Sequence, residues 1–367
     1  MRYLTITATA ISLIFQPVVS MAQQASGQTT RIDNSEARAA ADAPFSTREE
    51  RLNAEPLDWD ETRGEGMRTN AIQEPEDTRG ANGQPSGSVA GGAPDPSANA
   101  EAETLYPEEW EGLRQLQRDF QEDLDESDGV DFGTQDIFTQ YCENCSGVNE
   151  DYPQRAIGKL FSSAGTCSAS VVSGQNVIVT AAHCCYNRSS GNWIGGWRFA
   201  PAYRDGFAPY GLFDWASAIV LNQWINVGDR KSDVCLIKLR NDSSGRGVTF
   251  YTGWLGRSWN HPTIQVHHSL GYPGNIGSGN RLELCVSESF NPSSNCGGAS
   301  VLNTGCSMTY GASGGPWIRH YRGGGDWVNS VVSGYDSTSC TGSFGSTYNG
   351  ARFTSDNIVQ LCTDLGC

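Results

Sequence analysis

A serine at position 313 lies in the sequence Gly-Ala-Ser-Gly-Gly-Pro, which occupies residues 311–316. Small neighbours of this kind allow a tight backbone turn and keep bulky side chains away from an approaching carbonyl group. The amide groups of Gly311 and Ser313 can then point together at an oxyanion that forms on that carbonyl. A glycine-rich loop with one serine is more often an ordinary turn. It indicates a nucleophile only if partners for the serine exist elsewhere in the chain.

Two further stretches supply such partners. His183 follows two alanines at the end of an apolar run, Val-Ile-Val-Thr-Ala-Ala-His-Cys at 177–184, and Asp233 opens a second run, Asp-Val-Cys-Leu-Ile-Lys-Leu at 233–239. A serine hydroxyl is a weak nucleophile at neutral pH and needs a base such as imidazole within hydrogen-bond reach. A carboxylate that holds one imidazole tautomer completes this arrangement. We therefore predict Ser313 as nucleophile, His183 as base and Asp233 as the group that orients the base.

Other assignments of these residue types are weaker. Asp214 is the second choice for the carboxylate. The pattern Gly-x-Ser-x-Gly at 311–315 also fits the elbow of an α/β-hydrolase, but that fold needs its histidine well downstream of the serine. Only His320 follows, seven residues later, so the esterase interpretation fails on chain order. The remaining histidines have no comparable surroundings and are expected to be surface or structural residues: His261, His267, His268 and His320.

The chain from residue 156 onward has the texture of a β protein. Short β-branched and aromatic runs alternate with Gly, Asn and Ser clusters, which predicts an all-β sandwich or barrel. Examples are the runs at 169–172, 176–180, 217–221, 234–239 and 328–333. Behind a Ser-Asp cap, residues 355–362 predict a short C-terminal helix.

The first 22 residues have the pattern of a secretory signal peptide: a basic start, a short apolar run and small residues before a plausible cleavage point. This predicts a secreted protein, extracellular or periplasmic. No later stretch is long and apolar enough to predict a transmembrane span.

Residues 23–150 form an acidic segment with 9 basic and 29 acidic side chains, whereas residues 151–367 carry 15 and 12. Residues 23–104 are poor in large apolar side chains and are expected to be mostly disordered, with a linker at 80–100. Apolar residues then recur at helical spacing from Trp110, which predicts a helix at about 107–126. We favour docking of this helix on the following domain over an isolated, solvated helix.

All twelve cysteines fall between Cys142 and Cys367, which predicts a disulfide framework formed in an oxidising compartment. No metal site stands out, and no cofactor is predicted. The small net charge of 151–367 argues against nucleic-acid binding.

Taken together, the three motif stretches resemble the chymotrypsin-like (trypsin-like) serine peptidases. The chain looks most like the secreted bacterial V8-like, or glutamyl-endopeptidase-like, branch, in which Ala-Ile-Gly-Lys-Leu at 156–160 and Gly-Tyr-Pro at 271–273 are also familiar. The resemblance implies two antiparallel six-stranded β-barrels in 151–367, with the site in the cleft between them. His183 and Asp233 would come from the first barrel and Ser313 from the second.

The resemblance also implies disulfide pairs. Cys167 and Cys184 match the bond that braces the histidine loop, and by looser analogy Cys306 pairs with Cys340 beside the specificity pocket. Cys285 and Cys296 are close in sequence and are a further expected pair.

Departures from the family pattern bear on specificity and activation. The position before the nucleophile is Ala312, so the aspartate that receives a freed N terminus in trypsin-type zymogens is absent. Ser307 stands where enzymes specific for Lys or Arg have aspartate, and the strand at 331–335 lacks the pocket histidine of glutamyl endopeptidases. The edge formed by Ser333, Gly334 and Tyr335 is suited to pair with a substrate strand.

The expected partners are polypeptide substrates, and a monomer is expected. We expect the acidic segment to be removed by cleavage between about 128 and 156, with the bond between Arg155 and Ala156 as one candidate. It would then be a propeptide that blocks the cleft or assists folding. A permanent acidic spacer and a catalytically silent binding protein with a peptidase fold are the alternatives.

Overall fold

The computed structural model describes these parts of the chain: residues 22–25, 28–35, 44–58, 86–126, 138–145, 151–291, 301–336 and 347–367. For residues 22–25, 120–126, 336 and 347 only the backbone is described. The predicted signal peptide lies outside these parts except for its last residue, Ala22.

The described elements are mainly strands. In chain order they are β1 (Ala22–Ala25), β2 (Thr29–Asp33), β3 (Gly87–Val89), β4 (Thr139–Cys142), β5 (Ile157–Ser162), β6 (Gly165–Ser173), β7 (Val177–Thr180), β8 (Tyr186–Asn187), β9 (Asn192–Trp193), β10 (Arg198–Pro201), β11 (Phe213–Leu221), β12 (Cys235–Leu239), β13 (Gly256–Trp259), β14 (Val266–Gly271), β15 (Glu283–Glu288), β16 (Val301–Thr304), β17 (Pro316–Arg319), β18 (Trp327–Asp336) and β19 (Thr347–Arg352).

The helices in the same parts of the chain are fewer and mostly short. They are α1 (Arg48–Leu52), α2 (Ala98–Leu105), α3 (Pro107–Glu126), α4 (Asn222–Val227), α5 (Val248–Thr252) and α6 (Gln360–Leu365). A π-helical turn at Ser355–Val359 leads directly into α6, which is the short C-terminal helix that the sequence predicts.

The first sheet closes into a barrel. Six strands follow the order β11-β10-β5-β6-β7-β12, and antiparallel pairing of β11 with β12 completes the circuit. Every residue of β5 and of β7 is buried, as expected for apolar strands that line a closed core.

The second sheet follows the order β16-β19-β18-β17-β14-β15-β4, with β13 attached to β18 and β3 attached to β13. Its central strands pair antiparallel, for example Ser269 with Trp317 and Pro316 with Val331. The predicted all-β, chymotrypsin-like fold class is therefore confirmed.

Four strands from the acidic segment extend these sheets, and the first of them, β1, pairs with β2. β2 pairs with β11, with Ile32 opposite Ala218, while β3 pairs with β13 and β4 with β15. Because backbone hydrogen bonds hold such strands, they need few apolar side chains of their own. The disorder expected for 23–104 and the linker expected at 80–100 therefore do not hold for the described residues 28–35, 44–58 and 86–104. Residues 36–43 and 59–85 lie outside the described parts.

The helix α3 occupies the range that the sequence predicts and docks on the first barrel. Trp110 is 2% exposed, and its indole N–H donates to the carbonyl of Pro209 at 2.8 Å. In the preceding helix α2, Ala98 and Ala102 are fully buried. The acidic segment thus contributes side chains to the same hydrophobic core as residues 151–367.

Four disulfides lie within the described residues: Cys142–Cys145, Cys167–Cys184, Cys185–Cys235 and Cys362–Cys367. Cys306 and Cys285 are buried free thiols. Because both thiols are free, the structure does not show the expected bonds from Cys306 to Cys340 and from Cys285 to Cys296. Cys296 and Cys340 lie outside the described residues.

Lys159 is an unusual buried cation on β5. Its Nζ lies 3.2 Å from Asn280 Oδ1 and 5.0 Å from the ring centroid of Tyr203. Burial lowers the pKa of Lys159 from 10.5 to about 7, and the carboxylate of Glu55 only partly opposes this. The folded state therefore binds fewer protons than the unfolded state between these two pKa values, so this lysine disfavours folding most strongly below pH 7.

We expect Lys159→Met to raise the melting temperature, because it removes the cost of burying a charged amine. The gain over the wild type should be largest below pH 7 and should shrink as the pH rises toward 10.5. Thermal unfolding of both proteins at a series of pH values measures this difference. A gain that grew with pH would contradict the assigned pKa direction.

Candidate active site

His183 and Asp233 meet because their strands are neighbours. β7 pairs with β12, with Thr180 opposite Cys235, so the turn after β7 and the turn before β12 lie at the same end of the strand pair. His183 lies in the 3-10 turn Ala182–Cys184 that follows β7, and Asp233 ends the 3-10 turn Arg230–Ser232.

The contacts between these two side chains are close and fully buried. His183 Nδ1 lies 2.9 Å from Asp233 Oδ2 and 3.2 Å from Oδ1, and the backbone N–H of His183 donates to Oδ1 at 2.9 Å. Both residues are 0% exposed. When Nδ1 carries the proton, it donates a hydrogen bond to the carboxylate. Nε2 faces away from Asp233 and is then the nitrogen that can accept a proton.

Two disulfides fix the turn that carries His183. Cys185 bonds to Cys235, which ties the end of this turn to β12, and Cys184 bonds to Cys167 on β6. The histidine is therefore held from both sides along the barrel wall.

A third group contacts the aspartate from the second sheet. The hydroxyl of Ser333 on β18 donates to Asp233 Oδ2 at 2.5 Å, and Ser333 is 0% exposed. Sequence reasoning assigned Ser333 only to a substrate-pairing edge. It missed this contact because nothing in the local sequence indicates which residue of the second sheet reaches a carboxylate 100 positions earlier in the chain.

The loop around Ser313 depends on glycines. Gly311 and Gly314 have φ values of +91° and +79°, which favour glycine. A Cβ on Gly314 would lie 1.9 Å from the hydroxyl oxygen of Thr180. The carbonyl of Ser313 accepts from the amide of Ser168 at 2.8 Å, so this loop packs directly against the first barrel near His183.

The predicted nucleophile and base each have a side-chain atom without a hydrogen-bond partner in the described chain. Ser313 Oγ and His183 Nε2 are both buried, and neither has a hydrogen-bond partner among the described residues. Within the same residues, the amides of Gly311 and Ser313 donate no backbone hydrogen bond. The site therefore holds a hydroxyl, an imidazole nitrogen and two amide donors without internal partners.

The predicted substrate-binding residues lie near this loop. Gly334 and Tyr335 pair on one side with β19, and no described strand pairs with their other edge. The Tyr335 hydroxyl donates to the carbonyl of Met308. Ser307 is exposed, and its hydroxyl donates to Gln140 Oε1 at 2.9 Å.

The other titratable candidates lie apart from this site. Asp214, the second choice for the carboxylate, lies 3.9 Å from Arg240 Nε. His267 is buried with Nε2 3.1 Å from Asn329 Oδ1, and burial lowers the pKa of His267 to about 4. It is a structural residue, as expected.

No cluster of three or more His, Cys, Asp or Glu side chains that could hold a metal ion is found among the described residues. In the same parts of the chain, no helix combines the length and the apolar character needed to cross a membrane.

The family of the protein is shown by a match of the Trypsin family model to residues 147–349, which is more than half of the chain. With the fold described above, this means that the chain belongs to the trypsin family of chymotrypsin-like serine peptidases.

A curated relative and several solved structures are also similar. The glutamyl endopeptidase of Bacillus licheniformis is 27% identical over 143 residues, which cover 38% of this chain and 44% of that protein. The chain thus matches less than half the length of this relative. The partial match agrees with the resemblance to the V8-like branch.

Three structures each align with a TM-score of 0.49. The thermostable serine protease AL20 from an extremophilic microorganism is 28% identical and covers 55% of this chain and 93% of its own. The protease Anisep from Arthrobacter nicotinovorans is 28% identical, with coverages of 57% and 94%. A Glu endopeptidase in complex with MPD is 18% identical, with coverages of 63% and 97%.

The close approach at Gly314 gives a direct stability test. Gly314→Ala should destabilise the fold well beyond the cost of a positive φ, because its Cβ would collide with Thr180. Gly324 is the matched control, since its φ is +88° but no atom lies within 4 Å of an added Cβ. We expect a loss of about 1–2 kcal/mol for Gly324→Ala and roughly 1–3 kcal/mol more for Gly314→Ala. Urea unfolding measures both, and equal losses would contradict the described packing.

Proposed function

We propose that this protein is a secreted serine endopeptidase that hydrolyses peptide bonds through Ser313, His183 and Asp233. The observation that carries the proposal is the buried contact of 2.9 Å between His183 Nδ1 and Asp233 Oδ2, at a site where Ser313 Oγ and His183 Nε2 have no hydrogen-bond partner among the described residues. A buried imidazole oriented by a carboxylate is the base that a serine nucleophile requires.

In the first half of the reaction, Ser313 Oγ attacks the carbonyl carbon of the substrate and His183 Nε2 takes the hydroxyl proton. The carbonyl oxygen becomes an oxyanion, which the amides of Gly311 and Ser313 stabilise. Collapse of this intermediate breaks the C–N bond, and His183 gives its proton to the leaving amine. The acyl group remains on Ser313 as an ester.

In the second half, water replaces the amine. His183 takes a proton from the water as the water attacks the ester, and then returns a proton to Ser313 Oγ as the acid product leaves. Asp233 stays ionised throughout and stabilises the imidazolium that forms in each half. Ser333 and the backbone of His183 hold the carboxylate in place for this task.

Substrates would be bound as extended strands along β18. The edge at Ser333, Gly334 and Tyr335 provides backbone groups for this pairing. Among the described residues, Met308, Val332 and Tyr335 share a hydrophobic cluster with Ala312 of the nucleophile loop and offer no countercharge to an acidic or basic side chain of a substrate. We therefore infer no preference for Glu in the substrate, although the curated relative is a glutamyl endopeptidase, and no preference for Lys or Arg.

Secretion is the proposed location, because the N-terminal sequence has the signal-peptide pattern and the described residues contain four disulfides. The alternative function, a silent binding protein with a peptidase fold, is less favoured, since such a protein has no need to keep a buried, correctly paired His183 and Asp233 beside an unpartnered serine.

The proposed nucleophile is tested by labelling the processed, secreted protein with a fluorophosphonate, followed by peptide mapping. We expect one label on Ser313 and hydrolysis of a mixed peptide library, and neither in Ser313→Ala. A processed, disulfide-intact protein that takes no label after separation from its N-terminal fragment would establish the silent binding protein instead.

The contact from the second sheet is tested by Ser333→Ala in the processed enzyme. A hydrogen bond to a charged group contributes about 1.5–3 kcal/mol, so we expect kcat to fall about tenfold or more with little change in KM. Ser330→Ala is the matched control, since Ser330 lies on the same strand and donates to the carbonyl of Ala351 at 2.8 Å. Equal kcat values for the two variants would show that the hydrogen bond from Ser333 to Asp233 does not contribute to catalysis.

Processing of the acidic segment is tested by N-terminal sequencing of secreted protein. We expect a new N terminus after cleavage between about 128 and 154. The candidate bond after Arg155 is disfavoured, because Arg155 is 7% exposed, Ala156 is 0% exposed and Arg155 bonds to Asn99 and Tyr210. A secreted protein that began near residue 23 would contradict removal of the segment.

A further inference from the structure

A short part of the acidic segment pairs with the wall of the catalytic domain. The amide of Leu57 donates to the carbonyl of Thr166 at 2.9 Å, and the amide of Thr166 donates to the carbonyl of Glu55 at 2.8 Å. These bonds form a parallel bridge between Pro56 and Thr166. Leu57 is 2% exposed, so this part of the segment is packed into the surface of the protein.

The pairing lies beside the predicted catalytic residues. Thr166 precedes Cys167, whose disulfide partner Cys184 is adjacent to His183. Two residues beyond Thr166, Ser168 donates from its amide to the carbonyl of Ser313 and from its hydroxyl to the carbonyl of Gly311, at 2.8 and 2.9 Å.

Pro56 makes the closest approach to the nucleophile loop. A Cβ built on Gly311 would lie 3.3 Å from Pro56 Cβ, and one built on Gly274 would lie 2.6 Å from Pro56 Cγ. The proline ring therefore lies against Gly311, whose amide is one of the two proposed oxyanion donors. A substrate bound at this side of Ser313 would need the space that Pro56 fills.

The described state is also closed at the nucleophile. Ser313 and His183 are both 0% exposed, and both Ser313 Oγ and His183 Nε2 are buried. A peptide carbonyl must reach Ser313 Oγ for attack to occur. The chain with its acidic segment docked is therefore in a state that a substrate cannot enter.

An anchored helix holds this segment in place. Thr47 and Glu50 form a capping box at the start of α1, so the helix is locally well formed. Arg51 in α1 is 1% exposed; its Nη2 lies 2.6 Å from Glu109 Oε1 and its Nε donates to the carbonyl of Gly206 at 2.6 Å. Glu109 in turn accepts from the amide of Ala208 at 2.7 Å.

We propose that residues 44–58 are an intramolecular inhibitor, seated by Arg51 in the surface beside Ser313 and occupying the space of the substrate with Pro56. The proposal rests on the proposed function, since it assigns the regulation of that same site. The partner that this surface fits is a peptide with the sequence of residues 44–58, which includes the helix α1, joined to the domain or supplied separately.

One consequence concerns activation. Cleavage between 128 and 154 leaves residues 44–58 on an N-terminal fragment that β2, β3, α2 and α3 still bind to the domain. Cutting the chain therefore does not open the site until that fragment dissociates.

The test compares the rate at which a fluorophosphonate labels Ser313 in full-length protein carrying residues 23–367. The variants are Arg51→Ala, which removes the anchor, and Leu57→Asp, which places a charge in the buried pairing segment. Arg118→Ala is the matched control, because it breaks an ion pair to Glu111 within the same acidic segment at an exposed position. Ser313→Ala gives the background, and circular dichroism checks that each variant is folded.

Reactivity follows the fraction of molecules in the open state. We expect slow labelling of the wild type and of Arg118→Ala, and labelling faster by at least about tenfold in Arg51→Ala and Leu57→Asp. A synthetic peptide of residues 44–58 should slow the labelling of Arg51→Ala again, whereas a scrambled peptide should not.

Two results would overturn the inhibitor. If the wild-type full-length protein labels as fast as Arg51→Ala, its site is not closed. If both variants are folded and label as slowly as the wild type, something other than residues 44–58 closes the site. In either case, labelling of the processed protein separately decides the proposed function. If the processed protein, separated from its N-terminal fragment, is also unlabelled, the peptidase proposal itself fails.

Discussion

A fully buried carboxylate is the constraint on which the site depends. A buried charge that water does not solvate needs hydrogen-bond donors from the protein, and the loss of one donor destabilises the folded state. Asp233 is met by the amide and imidazole of His183 in the first barrel and by the hydroxyl of Ser333 in the second sheet. The same charge therefore orients the base and joins the two halves of the domain at the site. Ser313 is brought to this junction because its loop packs on Ser168 of the first barrel.

The acidic segment is bound by two kinds of interaction. Its excess of 29 acidic over 9 basic side chains faces a domain with 15 basic and 12 acidic ones, and this long-range attraction is screened by salt. The buried contacts are not screened in the same way: Trp110 in the barrel wall, the hydrogen bond from Arg51 to the carbonyl of Gly206, and the strand β2 along β11. The segment is thus part of the folded structure, and its removal exposes surface of the domain.

Much of the fold and of the site could be predicted from local sequence, and each failure has its own cause. His183, Asp233 and Ser313 stand in distinctive short motifs, and alternating apolar runs predict the strands that carry them. The contact of Ser333 with Asp233 joins distant parts of the chain, so no local pattern indicates it. Composition predicts disorder for residues 29–33, because it reflects only how many apolar side chains are present. The structure shows them as the strand β2, which backbone hydrogen bonds hold to β11. Cys306 was paired by analogy with a family whose cysteine lies at a different distance from the serine.

The central claim is that Ser313 is an activated nucleophile that forms an acyl-enzyme. A burst experiment on the processed protein with a chromogenic ester tests it most directly, with intact-mass analysis of the quenched reaction. The account predicts a rapid release of about one equivalent of product per molecule. The acyl group should then be found on Ser313, and it should be absent in Ser313→Ala. A linear time course with no added mass, or an acyl group on another residue, would contradict it.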